Sequence, residues 1–340
     1  MKSRDNTVLV TGGAGFAGSE LVAQLLASGR RVIVLDNLAN GSLANLAEHP
    51  EERFEFVHGD IRDVALLAQV LPEVHTVYHL ACLGVRHSLH SPEENYAVNA
   101  TGTHGLVEAA RAAGIARFVY VSTSEVYGTA CSVPMAENHP TRPSTVYGSS
   151  KLAAEAHVRA AIASAHFPAV VVRPFNAMGP RSHHEGDSGE VIPRFMLRAL
   201  AGRSLVIFGD GHQTRDFTYV GDTARGILLA GTVDAAVGGT FNLGSGCERS
   251  LLEVAQAVAR TAAVPLPQII HEPARPGDVR RLLADSSRAR RVLGFAPRVS
   301  FKEGLRRMVA WYRDLEIAPE ALLEHEVVRN WEPAETVAIA

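Results

Sequence analysis

Residues 7–26 read TVLVTGGAGFAGSELVAQLL. A short apolar run passes directly into glycines at a spacing of three, Gly12, Gly15 and Gly18, and a helical pattern opens where they end. Glycine is needed in such a turn when a pyrophosphate has to approach the backbone, because the free N–H groups and the dipole of a helix N-terminus attract an anion there. Any strand-to-helix turn uses glycine, so this loop takes its meaning from the strand before it and the helix after it.

Outward from this stretch the pattern repeats. Apolar runs (RVIVLDN, FEFVHGD, TVYHLA, RFVYVSTS, AVVVRPFN) alternate with helical segments (DVALLAQVL, GTHGLVEAARAAG, SSKLAAEAHVRAAIASA). Strands separated by helices pair in parallel through crossovers and are covered on both faces. The fold class expected is therefore α/β with a doubly wound parallel sheet. Asp36 closes the second run about 20 residues beyond the glycines, where a carboxylate accepts from both ribose hydroxyls of a dinucleotide and repels a 2′-phosphate. That favours NAD over NADP; a solvent-facing aspartate at a strand end is the plainer alternative. Asp60, in HGDIRD, would reach the adenine amino group or else cap the following helix.

The chain has 340 residues, 46% of them hydrophobic and 20% charged, with a formal net charge of -3. It can bury a large core as one α/β unit or two lobes. Lys and Arg are scattered, without the basic block that a phosphate backbone demands, so no nucleic acid partner is expected. The apolar run before the glycines is too short for a signal peptide, and no run approaches membrane-spanning length. Cys82, Cys131 and Cys247 are odd in number and lack C-x-x-C spacing. A reduced, cytoplasmic protein without membrane association is expected.

The run RFVYV leads into STSEVYG, Ser122 to Gly128, which sets Ser122, Thr123, Ser124 and Glu125 in a row. Glu125 reads either as a catalytic acid or base or as a carboxylate on a strand end. Downstream, TVYGSSKLAAEA puts Tyr147 and Lys151 four residues apart at the start of a helical pattern. Both then lie on one helix face, where an ammonium beside a phenol favours the phenolate. A tyrosine of ordinary pKa about 10 would so become a base near neutral pH.

Together TGGAGFAG, LDN, GDIRD, HLA, STSEVYG, YGSSK, RPFN, GPR, GDGHQTRDFTYV and ARPGD resemble the extended short-chain dehydrogenase/reductase family, and more narrowly its nucleotide-sugar epimerases, dehydratases and decarboxylases. The resemblance runs in the family's order from residue 7 to about 313. It implies an NAD-binding Rossmann domain of residues 1–176 and 217–248, and a smaller α/β lobe of residues 177–216 and 249–316 for the nucleotide sugar. The C-terminal tail, 317–340, matches no part of the pattern. By the same resemblance NAD would be held by Gly12, Gly15, Phe16, Ala17, Asp36, Asn37, Asn40, Gly41, Asp60, Ile61, Leu80, Ala81, Asn99, Tyr147, Lys151 and Pro174. Tyr147 would take a proton from a sugar hydroxyl, Lys151 would hold the nicotinamide ribose, and Thr123 would bond the sugar oxygen, with Ser124 and Glu125 beside them. A UDP-sugar would be bound by Arg86, Asn176, Arg181, Val191, Ile207, Arg215, Arg275 and Asp278, arginine offering paired donors to a diphosphate. The family's four-helix association implies a homodimer through the alanine-rich EENYAVNATGTHGLVEAARAAG and SSKLAAEAHVRAAIASA.

Adjacent His183 and His184, with Glu185 and Asp187, lack the spacing that turns two imidazoles toward one ion, so no metal is expected there. A mobile lid over the sugar is the reading of that loop. As to the reaction, the family's dehydratases carry an Asp-Glu pair after the threonine, whereas Ser124 cannot supply that acid. Its uronate decarboxylases use STSEVYG as it stands, yet HLACLGVRHSLHSPEENYAVN and STVYGSSK are more like the 4-epimerases. Arg86 and Arg181 are candidates for a C6 carboxylate, for the diphosphate, or for the cofactor lobe alone. Leu282 matches the position that governs room for an N-acetyl group, and Met178 and Gly221 depart from the family's usual aromatic and aspartate. The expected function is an NAD-dependent nucleotide-sugar 4-epimerase for UDP-glucuronate or UDP-glucose. The alternatives are a UDP-glucuronate decarboxylase and a non-catalytic NAD-binding regulator, the latter disfavoured by intact Thr123, Tyr147 and Lys151.

Overall fold

The structure, a computed structural model, describes residues 4–49 and 53–332. The chain opens with β1 (Thr7–Thr11), α1 (Phe16–Ala27), β2 (Arg31–Asp36), β3 (Phe54–His58), α2 (Val64–Val70) and β4 (Thr76–His79). Short α3 (His87–His90) and α4 (Pro92–Tyr96) lead through a π-helical stretch, Ala97–Gly102, into α5 (Thr103–Ala112). Next come β5 (Arg117–Val121), the long α6 (Val146–Ala165), β6 (Ala169–Pro174) and β7 (Asn176–Met178). The second half supplies α7 (Val191–Leu200), β8 (Leu205–Phe208), β9 (Thr214–Tyr219), α8 (Val220–Thr232), β10 (Thr240–Leu243) and β11 (Glu248–Ser250). It ends with α9 (Leu251–Ala262), β12 (Ile269–Glu272), α10 (Ser287–Leu293), α11 (Phe301–Asp314) and α12 (Pro319–Leu322).

Seven strands form one sheet in the order β10-β6-β5-β4-β1-β2-β3, parallel throughout. Successive residues of a strand point to opposite faces, and here both faces are buried. Val8 and Val10 pack with Leu21 and Leu25 of α1 and Ile227 of α8. Leu9 and Phe118 pack on the other side with Leu106 of α5 and Val158 of α6. This is the expected doubly wound, Rossmann-like sheet. Its strand order reverses beside β1, and ligands of such sheets bind at the carboxyl ends of the strands at that reversal.

A smaller lobe is built from the β11-β9-β7 sheet and the β12-β8 pair, packed with α7, α9 and α11 around Phe195, Val258 and Leu305. Met178 lies in this core, 1% exposed, and Gly304 makes room for it, since a Cβ there would come within 2.9 Å of the Met178 methyl. Gly221 lies where the lobes meet: its carbonyl accepts from Gln24 of α1 at 2.9 Å.

The alanine-rich run from Glu93 to Gly114 is not one regular helix. Its π-helical turn accompanies a buried polar set in which Asn99 donates to Asn95 and to Ser150 of α6 at 3.1 and 3.2 Å. Helix α6 is fixed more firmly by Glu155, whose carboxylate receives both Nε and Nη2 of Arg173 on β6 at 2.8 and 2.6 Å. Both side chains are almost wholly buried. Burial alone would raise the Glu155 carboxyl, but the hydrogen bonds and charge of Arg173 outweigh it and hold the group below its ordinary value. Replacing Glu155 by Ala would leave a buried guanidinium unpaired, a change that costs about 3–5 kcal/mol and should appear as a lowered urea midpoint. Because the folded-state value is depressed, the contribution is complete above the unfolded-state pKa and is lost as pH falls through the carboxylate range. Wild type should therefore lose stability more steeply than the variant below about pH 4.

Candidate active site

The carboxyl ends of the central strands open on a cleft of about 520 Å³ that continues into the smaller lobe, a volume usual for a small-molecule site. Gly15 caps α1, and a Cβ at Gly18 would stand 2.0 Å from the Gly12 carbonyl oxygen, so the turn closes only with glycine. Gly12 itself has φ +70° and touches the backbone of Ala81 at the end of β4. Asp36, 7% exposed, is not a solvent-facing aspartate. Its two oxygens accept from the N–H groups of Ala14 and Leu38 at 2.9 and 2.8 Å. A carboxylate has about four lone-pair positions, so acceptors remain for a ribose. These features fit a dinucleotide.

Phe16, Ala17, Asn37, Asn40, Gly41, Asp60, Ile61, Leu80, Ala81, Tyr147 and Pro174 all line the cleft. Asp60 pairs with Arg62 at 2.7 Å and accepts from Asn37, while α2 is capped by Asp63 instead, through the Leu66 N–H. Two residues expected at the cofactor are not part of the cleft lining. Asn99 is wholly buried, its amide joined to the N–H and carbonyl of Leu83 at 2.8 and 2.9 Å, so it shapes the loop after β4 without lining the cleft. Lys151 is 1% exposed beneath the cleft floor, with Nζ 4.6 Å from the centre of the Tyr120 ring, and burial pushes its pKa down.

Thr123 ends the β5 segment and caps a 3-10 turn, its hydroxyl oxygen accepting from the Glu125 N–H at 3.2 Å. Tyr147 is in the first turn of α6, where a Cβ at Gly148 would lie 2.8 Å from the Glu125 carbonyl oxygen. That glycine lets the helix start press against the turn, and brings Thr123, Ser124, Glu125 and Tyr147 to one corner of the cleft. The phenol responds to burial first, which pushes its pKa well above the ordinary value; Cys82 adds to this, a hydrogen bond with Thr123 opposes it, and Glu125 and Glu190 raise it further. Among the influences on the phenol, desolvation is the largest.

At the far end Arg86, Asn176, Val191, Arg215, Arg275 and Asp278 line the cleft. Arg215 and Arg275 converge on one oxygen of Asp278, at 2.8 and 2.6 Å. The Asn176 side-chain oxygen has no hydrogen-bond partner among the described residues. Ile207 departs from expectation: it is 0% exposed in the lobe core, and its neighbours Val206 and Phe208 face the cleft instead. On a pleated strand a step of one residue changes the face. Arg181 departs too, pairing with Glu20 of α1 at 2.8 Å outside the cleft lining. Leu282 is buried behind the wall with Val126, Tyr127 and Phe175.

Several lining residues carried no motif: Cys82, Glu190, Arg194, Arg198, Phe208, Asn330 and Trp331. Only the four-residue spacing of Arg194 and Arg198, which puts them on one face of α7, was readable in advance. Arg86 and Glu190 act on each other across the cleft. Burial lowers the Arg86 pKa to about 10, and burial raises that of Glu190 to about 7 against the pull of Arg86. The loop between β7 and α7 is stitched to the cofactor side by Ser188, which donates to Asn40 at 3.0 Å, as well as by Arg181. Among the described residues no group of three ligating side chains is placed to hold a metal.

A sheet edge for a dinucleotide with a separate lobe for a phosphorylated partner is the plan of the extended short-chain dehydrogenases/reductases. Within that class the chain belongs to the family described as GDP-mannose 4,6 dehydratase, whose sequence pattern matches residues 9–308. It is 39% identical over 312 residues to UDP-glucose 4-epimerase of Mycolicibacterium smegmatis, covering 90% of this chain and 98% of that one. UDP-glucuronic acid decarboxylase 2 of Arabidopsis thaliana is 35% identical over 92% of this chain and 69% of its own length. The solved UDP-glucuronic acid 4-epimerase from Bacillus cereus, in complex with UDP-glucuronic acid and NAD, has a TM-score of 0.84 and 30% identity, covering 91% of this chain and 99% of that one. Enzymes of nucleotide sugars, among them epimerases, dehydratases and decarboxylases, thus make up the family. Replacing Tyr147 by Phe removes only the ionisable oxygen and should reduce turnover by about 10²- to 10⁴-fold while nucleotide binding is nearly kept, as steady-state kinetics with a competing nucleotide would read.

Proposed function

We propose that the protein is an NAD-dependent nucleotide-sugar 4-epimerase working through a transient 4-keto sugar, with UDP-glucose and UDP-glucuronate as its substrates. The observation that carries the reading is Ser124. It stands between Thr123 and Glu125 in the cleft corner, 3% exposed, at the place where a dehydratase needs a carboxylic acid. A serine hydroxyl cannot protonate a departing C6 hydroxyl, so elimination lacks an acid at that position while oxidation at C4 keeps its base.

NAD, held by the glycine turn, Asp36 and the lining described above, supplies a hydride acceptor and donor at C4. Tyr147 takes the proton from O4 and returns it after the sugar has presented its other face. Thr123, already bonded to the phenol, orders that oxygen. Arg215 and Arg275 grip the diphosphate with forked donors, which leaves the sugar free to turn about its link to the phosphate. Arg86 is the candidate partner for a uronate carboxylate, and Glu190 competes for it once ionised. Uronate affinity should therefore weaken as pH rises through about 7, while UDP-glucose affinity changes little. The helices α4 to α6 would associate two copies, which light scattering at micromolar concentration reports; a monomer mass would contradict it. Among the described residues no helix is long and apolar enough to cross a membrane.

One feature favours a second reading, UDP-glucuronate decarboxylation: Glu125 lines the cleft beside Tyr147. A 4-keto uronate is a β-keto acid and loses carbon dioxide readily when the breaking bond aligns with the carbonyl. An epimerase must hold it out of alignment, with Glu125 serving only to position the turn. Products from UDP-glucose and UDP-glucuronate, followed by NMR, separate the two. Epimerised sugars with little pentose, and Glu125→Gln retaining much of the activity, are the expected results. UDP-xylose as the main product, lost in Glu125→Gln, would overturn the epimerase reading.

A further inference from the structure

The family match ends at residue 308, yet Asn330 and Trp331 line the cleft. After α12 the chain runs back over α7, with Leu323 buried in the lobe core. Glu326, its side chain 5% exposed, accepts from Arg194 Nε at 2.9 Å and Arg198 Nε at 2.8 Å. Arg194 also donates to the Val328 carbonyl at 3.1 Å, and Asn330, 2% exposed, donates to the Gly189 carbonyl at 3.0 Å. Held in this way, Trp331 meets the Phe208 ring edge-to-face, centroids 4.5 Å apart and planes at 84°.

Position within the cleft tells what this corner faces. Gly12 and Asp36 line it from the ends of β1 and β2, whereas Val206 and Phe208 line it from β8 of the smaller lobe, together with Arg215, Arg275 and Asp278. Trp331 stands on Phe208, so it shares the lobe that carries the diphosphate arginines, where a ligand extending past its phosphates would place its base. Two aromatic planes at a right angle offer a base one face and one edge. Resting on the nucleotide-sugar reading, we infer that residues 319–332 are a strap that completes the nucleobase end of the substrate cleft, with Trp331 as its aromatic wall. The strap also supplies the carboxylate that holds Arg194 and Arg198 in the lining.

The test uses the full chain with its cofactor, the variants Trp331→Ala and Trp331→Phe, and UDP and inorganic pyrophosphate as probes in calorimetric titrations. Loss of an aromatic contact to a base should weaken UDP binding about 10-fold or more in Trp331→Ala. Pyrophosphate affinity and bound NAD should stay as in wild type, and Trp331→Phe should keep most of the UDP affinity. The chain has two tryptophans, so quenching of the indole emission by UDP should disappear in Trp331→Phe, which retains Trp311. Unchanged UDP affinity in Trp331→Ala, or equal loss for UDP and pyrophosphate, would overturn the strap while leaving the nucleotide-sugar reading intact. Failure of the wild type to bind UDP, dTDP or GDP would overturn that reading and this inference with it.

Discussion

The catalytic corner depends on the buried pair between Arg173 and Glu155. Tyr147, Lys151 and Glu155 are spaced by four along α6 and so lie in one stripe, which means that anchoring Glu155 to β6 sets the rotation of the helix and thereby the aim of the phenol. Arg173 also donates to the Tyr127 hydroxyl at 2.8 Å. Tyr127 belongs to the 3-10 turn that carries Glu125, so one guanidinium ties both walls of the corner to the sheet. Two ions taken out of water carry a desolvation cost that their attraction offsets only with such matched geometry. The return is orientation more than stability.

Much of the fold and half of the site were legible because they rest on local rules. The glycine spacing, Asp36 at a strand end and the Tyr147–Lys151 interval are each set by one element or one turn. What escaped depended on contacts between distant segments. Ile207 failed by a single step of the pleat, since nothing within LVIF says which face the lobe core will claim. Arg181 was drawn off by Glu20, 161 residues away in sequence, and Asn99 by the loop it supports. Spacing put Lys151 beside Tyr147 but gave no measure of burial, and burial controls the phenol. Trp331 belongs to a stretch without any pattern, legible only once α7 and β8 are in place.

Four arginines at the substrate end already have an anionic partner from the chain. Asp278 holds Arg215 and Arg275, and Glu326 holds Arg194 and Arg198. The arginines are thereby fixed in direction before a ligand arrives, which reduces the ordering cost of binding. A diphosphate then adds to an existing array in which one carboxylate already occupies some of the donors, and its affinity reflects that exchange.

Of the two stitches described above, Ser188 reaches Asn40 in the lining of the cleft beside the glycine turn, whereas Arg181 reaches Glu20 of α1 outside it. Both fasten the loop between β7 and α7 to the half of the molecule that carries the glycine turn. Loosening that loop should therefore quicken exchange of a dinucleotide, so that its residence is set in part by a segment of the smaller lobe.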